Sequence, residues 1–101
     1  MELYYVYILK CNDHSFYIGM TSNLEERLLQ HHSGKYRDAY TFNRRPVELM
    51  LVQQFTDPNT ASELEKKLKG WSRKKKTALI LKDWDNLQKF SRNYSQYGKP
   101  G

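Results

Sequence analysis

The segment from Tyr4 to His32 constrains the fold of this chain more than any other part of the sequence. A first β-prone run, Leu3 to Lys10, consists almost entirely of Tyr, Val, Ile and Leu, and a second extends from Ser15 to Met20. Residues 12–14 between them are Asn, Asp and His, which favour turns, so the two runs predict a β-hairpin. The first run is apolar or aromatic at both odd and even positions, which predicts a central strand covered on both faces.

The length of the hairpin loop decides which side chains share a face. With a three-residue loop, Tyr7 lies opposite Gly19, and Tyr17 lies on the face of Tyr7 as a diagonal neighbour about 7–8 Å away. A two-residue loop would place the two tyrosines on opposite faces. Because Gly19 has no side chain, the three-residue loop would also leave open space opposite Tyr7, where another backbone could approach.

A helix is predicted directly after the hairpin. Ser22 and Asn23 are both N-cap candidates, each followed three residues later by a glutamate, and the helix is expected to run to about His32 and to end near Gly34. By spacing, its inward stripe consists of Leu24, Arg27, Leu28 and His31. Two of these four are basic, so each must be paired, hydrogen-bonded or able to reach solvent.

Residues 33–45 contain glycine and charges without a clean period, which predicts a loop or a broken helix. Pro46 then precedes a third predicted strand, Val47 to Phe55, which makes a small and mostly antiparallel sheet. By alternation, one face of this strand would carry Val47, Leu49 and Leu51, and the other Met50 and Val52.

Three helices are predicted after the third strand. The second helix of the chain begins at Asp57 and Pro58, with Thr60 and Glu63 as a capping box, and ends at Gly70. Its inward stripe consists of Ala61, Leu64, Glu65 and Leu68, so an acid lies where a core residue is expected. A serine caps a short helix within residues 71–81, and a further helix capped by Asp83 would bury Trp84, Leu87 and Phe90.

The charge balance favours a polyanionic partner. The chain has 17 lysine and arginine residues against 11 aspartate and glutamate, a net charge of +6, together with eight tyrosines. Such a balance is typical of nucleic-acid binding, although solubility alone would also account for it. Eight of the basic residues fall within residues 66–82, and those at 73–76 oppose the dipole of their own helix. The candidate nucleic-acid-binding residues are Lys35, Arg44, Arg45, Lys69, Arg73, Lys74 and Lys75.

Length and cysteine content predict a simple organisation. The 101 residues suffice for one domain, which we expect over residues 1–90, with a flexible C-terminal tail over 91–101. We recognise no signal peptide and no transmembrane run, so we expect a cytoplasmic protein with no membrane partner. Cys11 is the single cysteine and is interpreted as a buried or half-buried, reduced thiol.

The polar residues on the predicted inward faces could together hydrolyse a phosphodiester bond; they are Tyr7, Tyr17, Arg27, His31 and Glu65. This reaction needs a base for water, a positive group for the phosphate and help for the leaving oxygen. Arg27 suits bidentate phosphate binding, and Glu65 could hold one hard cation such as Mg²⁺ through a single carboxylate. A tyrosine base, with an ordinary pKa near ~10, needs positive neighbours or must pass its proton to another group.

Each of these residues, taken alone, more often has a structural role. Tyrosines usually pack in the core or lie at the surface, and a single Arg or His on a helix stripe is usually an edge or interior residue. Glu65 alone would be the ion-pair partner of Lys69, four residues later. Only the combination of all five favours catalysis.

The order of these residues resembles the GIY-YIG nuclease superfamily. The matching features are YVYIL, then FYIG, then Arg27 ten residues after Tyr17, His31 four residues further on, and Glu65 in the helix after the third strand. The segments RRPVEL and KGWSRKKKTALI match as well, and the whole chain resembles the small stand-alone bacterial branch of the family. The resemblance covers about residues 3–82.

The resemblance implies an α+β fold, with a three-stranded antiparallel sheet flanked by helices, and a DNA endonuclease that uses one divalent cation, Mg²⁺ or Mn²⁺. Tyr7 would activate water, Tyr17 would orient water and phosphate, and Arg27 would stabilise the pentavalent phosphate. His31 would assist proton transfer, and Glu65 would ligate the metal. We expect a monomer that acts on double-stranded or branched DNA without a small-molecule cofactor, with structure-selective cutting in repair or recombination as one role open to it.

Two other classes of function remain open at this stage. One is a nucleic-acid-binding module that keeps the fold and cuts slowly or not at all, because intact residues do not prove a productive geometry. The other is a protein-interaction domain whose basic helix docks on an acidic partner.

Overall fold

The computed structural model describes residues 2–81, which form a three-stranded antiparallel sheet and three α-helices. The elements are β1 (Tyr4–Lys10), β2 (Phe16–Thr21), α1 (Leu24–Ser33), β3 (Glu48–Phe55), α2 (Pro58–Gly70) and α3 (Arg73–Ile80). The strand order is β2-β1-β3, which confirms the predicted α+β class and the central position of the first strand. The predicted helix after Asp83 and the predicted tail over 91–101 lie outside the described residues.

The hairpin between β1 and β2 has the three-residue loop. The Cys11 N–H donates to the Ser15 carbonyl at 2.8 Å, and His14, with φ of 69°, takes the left-handed conformation that closes the turn. Tyr7 therefore lies opposite Gly19, and the two tyrosines of the hairpin share a face, which is the outcome expected of the longer of the two possible loops. The ring centroids of Tyr7 and Tyr17 are 6.3 Å apart.

The space opposite Tyr7 is not open. A Cβ built on Gly19 would lie less than 3.0 Å from the hydroxyl and two ring carbons of Tyr7, so the phenol ring lies directly across the glycine. The expectation that another backbone could approach here is wrong, because the Tyr7 ring itself fills the space that a larger residue at position 19 would need.

A β-bulge changes the predicted faces of β3. Ile8 of β1 lies opposite Leu51, whereas Leu9 lies opposite Leu49, so Met50 is an extra residue between the two pairs. Leu49 and Leu51 consequently lie on opposite faces, and the prediction that they share one is wrong. Simple alternation fails here because the extra residue reverses the side of every later side chain.

Hydrophobic residues cover the sheet on both faces, as predicted for the central strand. On one face, the buried side chains of β1 and β2 pack against α2 through Val6, Ile8, Ile18, Ala61, Leu64 and Leu68. On the other, a second cluster packs against α1 and contains Tyr7, Leu9, Cys11 and Val47, with Leu24 and Leu28 beside it. The Cys11 thiol is buried and free, as expected, and burial raises its pKa. Tyr7 thus belongs to the core as well as to the predicted site.

The ends of α1 follow the capping signals in the sequence. Of the two candidate N-caps, Asn23 is the one used, and its side chain accepts a hydrogen bond from the Glu26 N–H at 3.1 Å. The helix ends at Gly34, whose φ of 70° is left-handed. These two ends set the rotation of α1 that turns its basic stripe toward the sheet.

The second helix uses a different cap from the one predicted. Asp57 is the N-cap of α2 and accepts hydrogen bonds from the Asn59 N–H and the Thr60 hydroxyl. The predicted capping box of Thr60 and Glu63 is wrong, because Thr60 already lies within the helix and Asp57 supplies the capping oxygen. Ser72 caps α3 as expected. No helix within residues 2–81 is long and apolar enough to cross a membrane.

Candidate active site

A chain of three buried polar side chains joins the sheet to α1 and to the loop after it. The Tyr7 hydroxyl lies 2.9 Å from His31 Nε2, and His31 Nδ1 lies 2.8 Å from Thr41 Oγ1. Tyr7 is 0 % exposed, His31 is 7 % exposed and Thr41 is 1 % exposed. His31 therefore satisfies both ring nitrogens, which is how a histidine on a core-facing stripe avoids an unpaired polar group.

Tyr17 lies beside this chain and nearer to solvent. Its ring meets the His31 ring edge to face, with the centroids 5.2 Å apart. Tyr40 stacks on Tyr17 at 6.0 Å with an interplanar angle of 22°, and the Arg44 guanidinium lies 3.9 Å from the Tyr40 ring centroid. Arg44 is held in turn by Asp13 of the hairpin loop at 3.1 Å. Aromatic and cation–π contacts of this kind fix the position of the Tyr17 ring.

An open cleft of about 500 Å³ lies in front of His31. Three of the predicted catalytic side chains line it: Tyr17, Arg27 and His31. Its other lining residues were not predicted as site residues and are Gln30, Tyr36, Asp38 and Ala39. Residues 33–45 carry no regular period, so the sequence offered no signal for which of their side chains would face the site.

The electrostatics of the site hold Tyr7 protonated and His31 neutral. Burial raises the pKa of Tyr7 to about 12, with Tyr17 and Glu65 adding to the rise and the Arg27 guanidinium opposing it. Burial also lowers the pKa of His31, and the positive charges of Arg27 and His32 lower it further. A phenol that keeps its proton therefore faces an imidazole that can accept one.

Glu65 lies on α2 and is coupled to the site by charge. Its side chain is 22 % exposed, and Lys69 Nζ lies 3.3 Å from Glu65 Oε2, so the expected ion pair four residues apart is present. Within residues 2–81, no three Asp, Glu, His or Cys side chains cluster closely enough to hold a metal ion. A single carboxylate nevertheless fits a hydrated cation such as Mg²⁺, which keeps several waters when it binds proteins.

Two of the predicted nucleic-acid-binding arginines are engaged within the loop that holds Tyr40. Besides its pairing with Asp13, Arg44 donates to the Tyr40 carbonyl at 2.7 Å. Arg45 donates to the Phe42 carbonyl at 2.9 Å, and its guanidinium lies 4.6 Å from the Phe42 ring centroid. Both arginines thus order the loop, and their contacts leave only part of each guanidinium for a phosphate.

Of the other predicted basic residues, Lys69 lines a second groove next to Tyr17, and Arg73 contacts Phe16 at the same groove. This groove, of about 250 Å³, is lined by Phe16, Tyr17, Ile18, Tyr40, Lys69 and Lys76. Arg73 lies against the Phe16 ring at 4.5 Å and donates to the His14 carbonyl. Lys75 lies over the Trp71 ring and Lys35 over the Tyr36 ring, while Lys74 is exposed. Basic side chains thus contact aromatic rings at three places, a combination suited to a nucleic-acid backbone and bases.

Comparison with protein families matches residues 3–78 to the GIY-YIG catalytic domain. Among individual proteins, the chain is 42% identical over 87 residues to a UPF0213 protein from Syntrophus aciditrophicus, covering 86% of this chain and 100% of that one. It is 46% identical over 77 residues to a UPF0213 protein from Bacillus pumilus, covering 76% of this chain and 78% of that one.

A solved structure agrees with the fold. The solution NMR structure of the UPF0213 protein BH0048 from Bacillus halodurans is similar to this chain with a TM-score of 0.53 and 38% sequence identity. The match covers 77% of this chain and 82% of that one. With the family match spanning most of the chain and relatives aligned over most of their length, this chain belongs to the GIY-YIG family and is related to the UPF0213 proteins.

Proposed function

We propose that this chain is a divalent-metal-dependent endonuclease that hydrolyses phosphodiester bonds in DNA. The observation that carries the proposal is the cleft lined by Tyr17, Arg27 and His31. The buried Tyr7 hydroxyl is hydrogen-bonded to the His31 ring at this cleft. A phosphate in this cleft would meet a guanidinium, a phenol and an imidazole at once. Family membership supports a nuclease-type activity for this constellation.

Arg27 and Tyr17 are assigned to the phosphate. Both line the cleft, and the guanidinium can donate two parallel hydrogen bonds to phosphate oxygens, where negative charge grows as water attacks. Tyr17, held between Tyr40 and His31, can orient the attacking water or a non-bridging oxygen through its hydroxyl. Holding the reacting groups in one geometry is itself a large part of catalysis.

Tyr7 and His31 are assigned to proton transfer. A buried phenol with a pKa of about 12 does not become phenolate at neutral pH by itself. If Tyr7 takes a proton from water, its own proton must leave at the same time, and His31 Nε2 lies 2.9 Å from the Tyr7 oxygen. We therefore propose that Tyr7 is the base that takes the proton of water, as the sequence suggested, and that His31 accepts the proton that Tyr7 releases.

Glu65 is assigned as the residue that would hold the cation, through one carboxylate. When bound, Mg²⁺ or Mn²⁺ would neutralise phosphate charge and support the leaving oxygen. Lys69 Nζ lies 3.3 Å from the same carboxylate. A cation bound by Glu65 would compete with Lys69 for this carboxylate and would leave Lys69 available to the phosphate backbone, a role that its position on the groove beside Tyr17 supports.

The proposed substrate is double-stranded or branched DNA, and the protein would act as a cytoplasmic monomer without a small-molecule cofactor. The net charge of +6 and the basic and aromatic groove beside Tyr17 support a DNA partner. We further propose that the protein cuts particular DNA structures selectively, in repair or recombination. Comparison of the cleavage rates of single-stranded, duplex and branched substrates tests this selectivity.

The test is cleavage of supercoiled plasmid and of labelled single-stranded, duplex and branched DNA, with Mg²⁺, Mn²⁺ or EDTA. Arg27→Ala and Glu65→Ala are compared with matched controls that remove the same charges elsewhere, Arg37→Ala and Glu63→Ala, both at exposed positions. We expect metal-dependent product from the parent and both controls, and at least 10²-fold slower cleavage by the two site variants. Cleavage by all four variants at the parent rate would refute the assignment.

A nucleic-acid-binding module without appreciable cleavage is the second candidate. Two observations favour it: Tyr7 is 0 % exposed, so cleavage needs a movement that brings the attacking water to its oxygen, and the Glu65 carboxylate is already paired with Lys69. This candidate predicts salt-dependent DNA binding, with no product under any metal condition. The same assay, run with binding measured in parallel by fluorescence anisotropy, therefore separates the two.

A further inference from the structure

Among residues 2–81, Thr41 is the most deeply buried polar residue to which neither the sequence analysis nor the proposed mechanism assigns a role. It lies in the loop after α1, is 1 % exposed, and places its Oγ1 2.8 Å from His31 Nδ1. The loop around it is ordered by the Arg44 N–H, which donates to the Thr41 carbonyl at 3.0 Å. Burial of a hydroxyl costs free energy, which its hydrogen bonds must offset. The hydrogen bond to His31 is therefore the feature of Thr41 for which a role is sought.

Two buried hydroxyls meet the His31 ring, one at each nitrogen, and a neutral imidazole accepts at one nitrogen and donates at the other. Tyr7 keeps its proton, and its phenol is a more acidic donor than the aliphatic hydroxyl of Thr41. The Tyr7 O–H is therefore assigned as the donor, and Nε2 as the acceptor without a proton of its own. Since His31 is neutral, its proton is on Nδ1, where it is donated to Thr41 Oγ1.

We propose that Thr41 is a positioning residue that holds His31 in the Nδ1–H tautomer, with Nε2 free to accept the Tyr7 proton. When water attacks phosphate, its proton passes to the Tyr7 oxygen as the Tyr7 proton passes to Nε2. The imidazolium then has two N–H groups, one donating to the Tyr7 oxygen and the other still donating to Thr41 Oγ1. No proton is gained or lost in the relay, and the ring does not turn.

The role of Thr41 in hydrolysis rests on the proposed nuclease function, whereas its effect on the tautomer of His31 is independent of that function. Charged and titratable groups that face the ring come from each element packed against it: Tyr7, Tyr17, Arg27, Tyr36 and Asp38. His32 adds charge from the next position of α1. Because Thr41 is uncharged, its removal changes the hydrogen bonding of His31 without changing any of these charges.

The test compares Thr41→Val, which has nearly the same shape and no hydroxyl, with Thr41→Ser, which keeps the hydroxyl. Nitrogen-15 NMR of the imidazole reports the tautomer, and multiple-turnover cleavage over a range of pH and substrate concentration reports kcat and KM. We expect the parent and Thr41→Ser to show Nδ1–H, and Thr41→Val to show a mixture of tautomers. Cleavage by Thr41→Val should be about 10–100-fold slower than the parent with KM within about three-fold, and Thr41→Ser should stay within about three-fold.

The pH profile adds a result that loss of packing alone would not produce. Without Thr41 Oγ1, the imidazolium has no acceptor for its Nδ1–H, so the pKa of His31 falls and the acidic limb of kcat moves to lower pH. A parent spectrum with the proton on Nε2 would overturn the proposal, even if Thr41→Val does not fold. So would a Thr41→Val variant with the parent tautomer and pH limb. If the parent cuts no DNA, the proposed function fails, and the NMR result still decides whether Thr41 sets the tautomer.

Discussion

Replacement of Gly19 by alanine should displace the Tyr7 ring, because this one methyl group has no room. The backbone itself accepts alanine, since among the described glycines only Gly34 has a left-handed φ. The new Cβ would meet the Tyr7 hydroxyl and ring carbons at less than 3.0 Å, which is closer than real Cβ atoms approach. Tyr7 lies on the central strand with 0 % exposure, so its ring has no solvent-facing position to move into.

The expected size of the effect follows from two contributions. Overpacking of a filled core site costs about 1–3 kcal/mol, and loss of the hydrogen bond from Tyr7 to His31 costs about 0.5–1.5 kcal/mol more. The free energy of unfolding should therefore fall by about 2–4 kcal/mol, which for a domain of this size lowers Tm by roughly 10–25 °C. A displacement of the phenol by about 1 Å should also slow cleavage by about 10²-fold.

The assay is urea unfolding followed by far-ultraviolet circular dichroism, with single-turnover cleavage at a temperature where the variant is folded. Gly70→Ala is the matched control, because a Cβ at Gly70 meets nothing within 4 Å and lies at the end of α2. That control should be neutral or stabilising by up to about 1 kcal/mol, with unchanged cleavage. If Gly19→Ala is as stable as Gly70→Ala and cuts at the parent rate, the Tyr7 ring does not lie across Gly19.

Three further predictions concern stability and metal binding. Gly34→Ala should lower the free energy of unfolding by about 1–3 kcal/mol in urea titrations, because position 34 has φ of 70° and a Cβ there would lie 2.5 Å from Arg45 Cζ. Lys69→Met should tighten Mn²⁺ binding by up to about five-fold in magnetic resonance titrations, because Glu65 loses its competing partner; unchanged affinity would place the cation elsewhere. The lowered pKa of His31 means that the unfolded state takes up its proton first, so this contribution to stability is present above pH 6.5 and lost as pH falls through the folded pKa. Tm measured from pH 8 to 5 should fall more steeply for the parent than for His31→Gln.

The parts of the fold that follow local rules were predictable from the sequence. The hairpin was predicted from its two β-prone runs and the turn residues between them, while the sequence left the loop length open, and only the structure shows the three-residue loop that places Tyr7 and Tyr17 on one face. Capping residues fix the start of α1 to within a residue, and helical spacing places Arg27 and His31 on its inward stripe. Each of these depends on residues close in sequence, where propensity and periodicity carry the information.

The parts that failed depend on long-range packing. Nothing near Met50 in the sequence signals the bulge, which arises from matching β3 to β1 along their whole length. The Tyr7 side chain adopts a rotamer that fills the space over Gly19 and brings its hydroxyl to His31 on α1, which is distant in sequence. Thr41 was missed because the loop that carries it has no period, and only the folded chain shows that its hydroxyl meets His31.

The same burial that makes Tyr7 part of the core also determines how it can take part in catalysis. An exposed phenol could lose its proton to solvent, but a phenol with 0 % exposure and a pKa of about 12 can exchange it only with a bonded neighbour. That neighbour is His31, whose own pKa is lowered by the same burial, so the proton has a ready acceptor. In the proposed mechanism, residues that the core holds rigid would move protons, while Tyr17 and Arg27 at the cleft would contact the phosphate. In this arrangement the rate depends on packing around Tyr7, and substrate binding depends on the cleft, so core variants should change kcat and cleft variants should change KM as well.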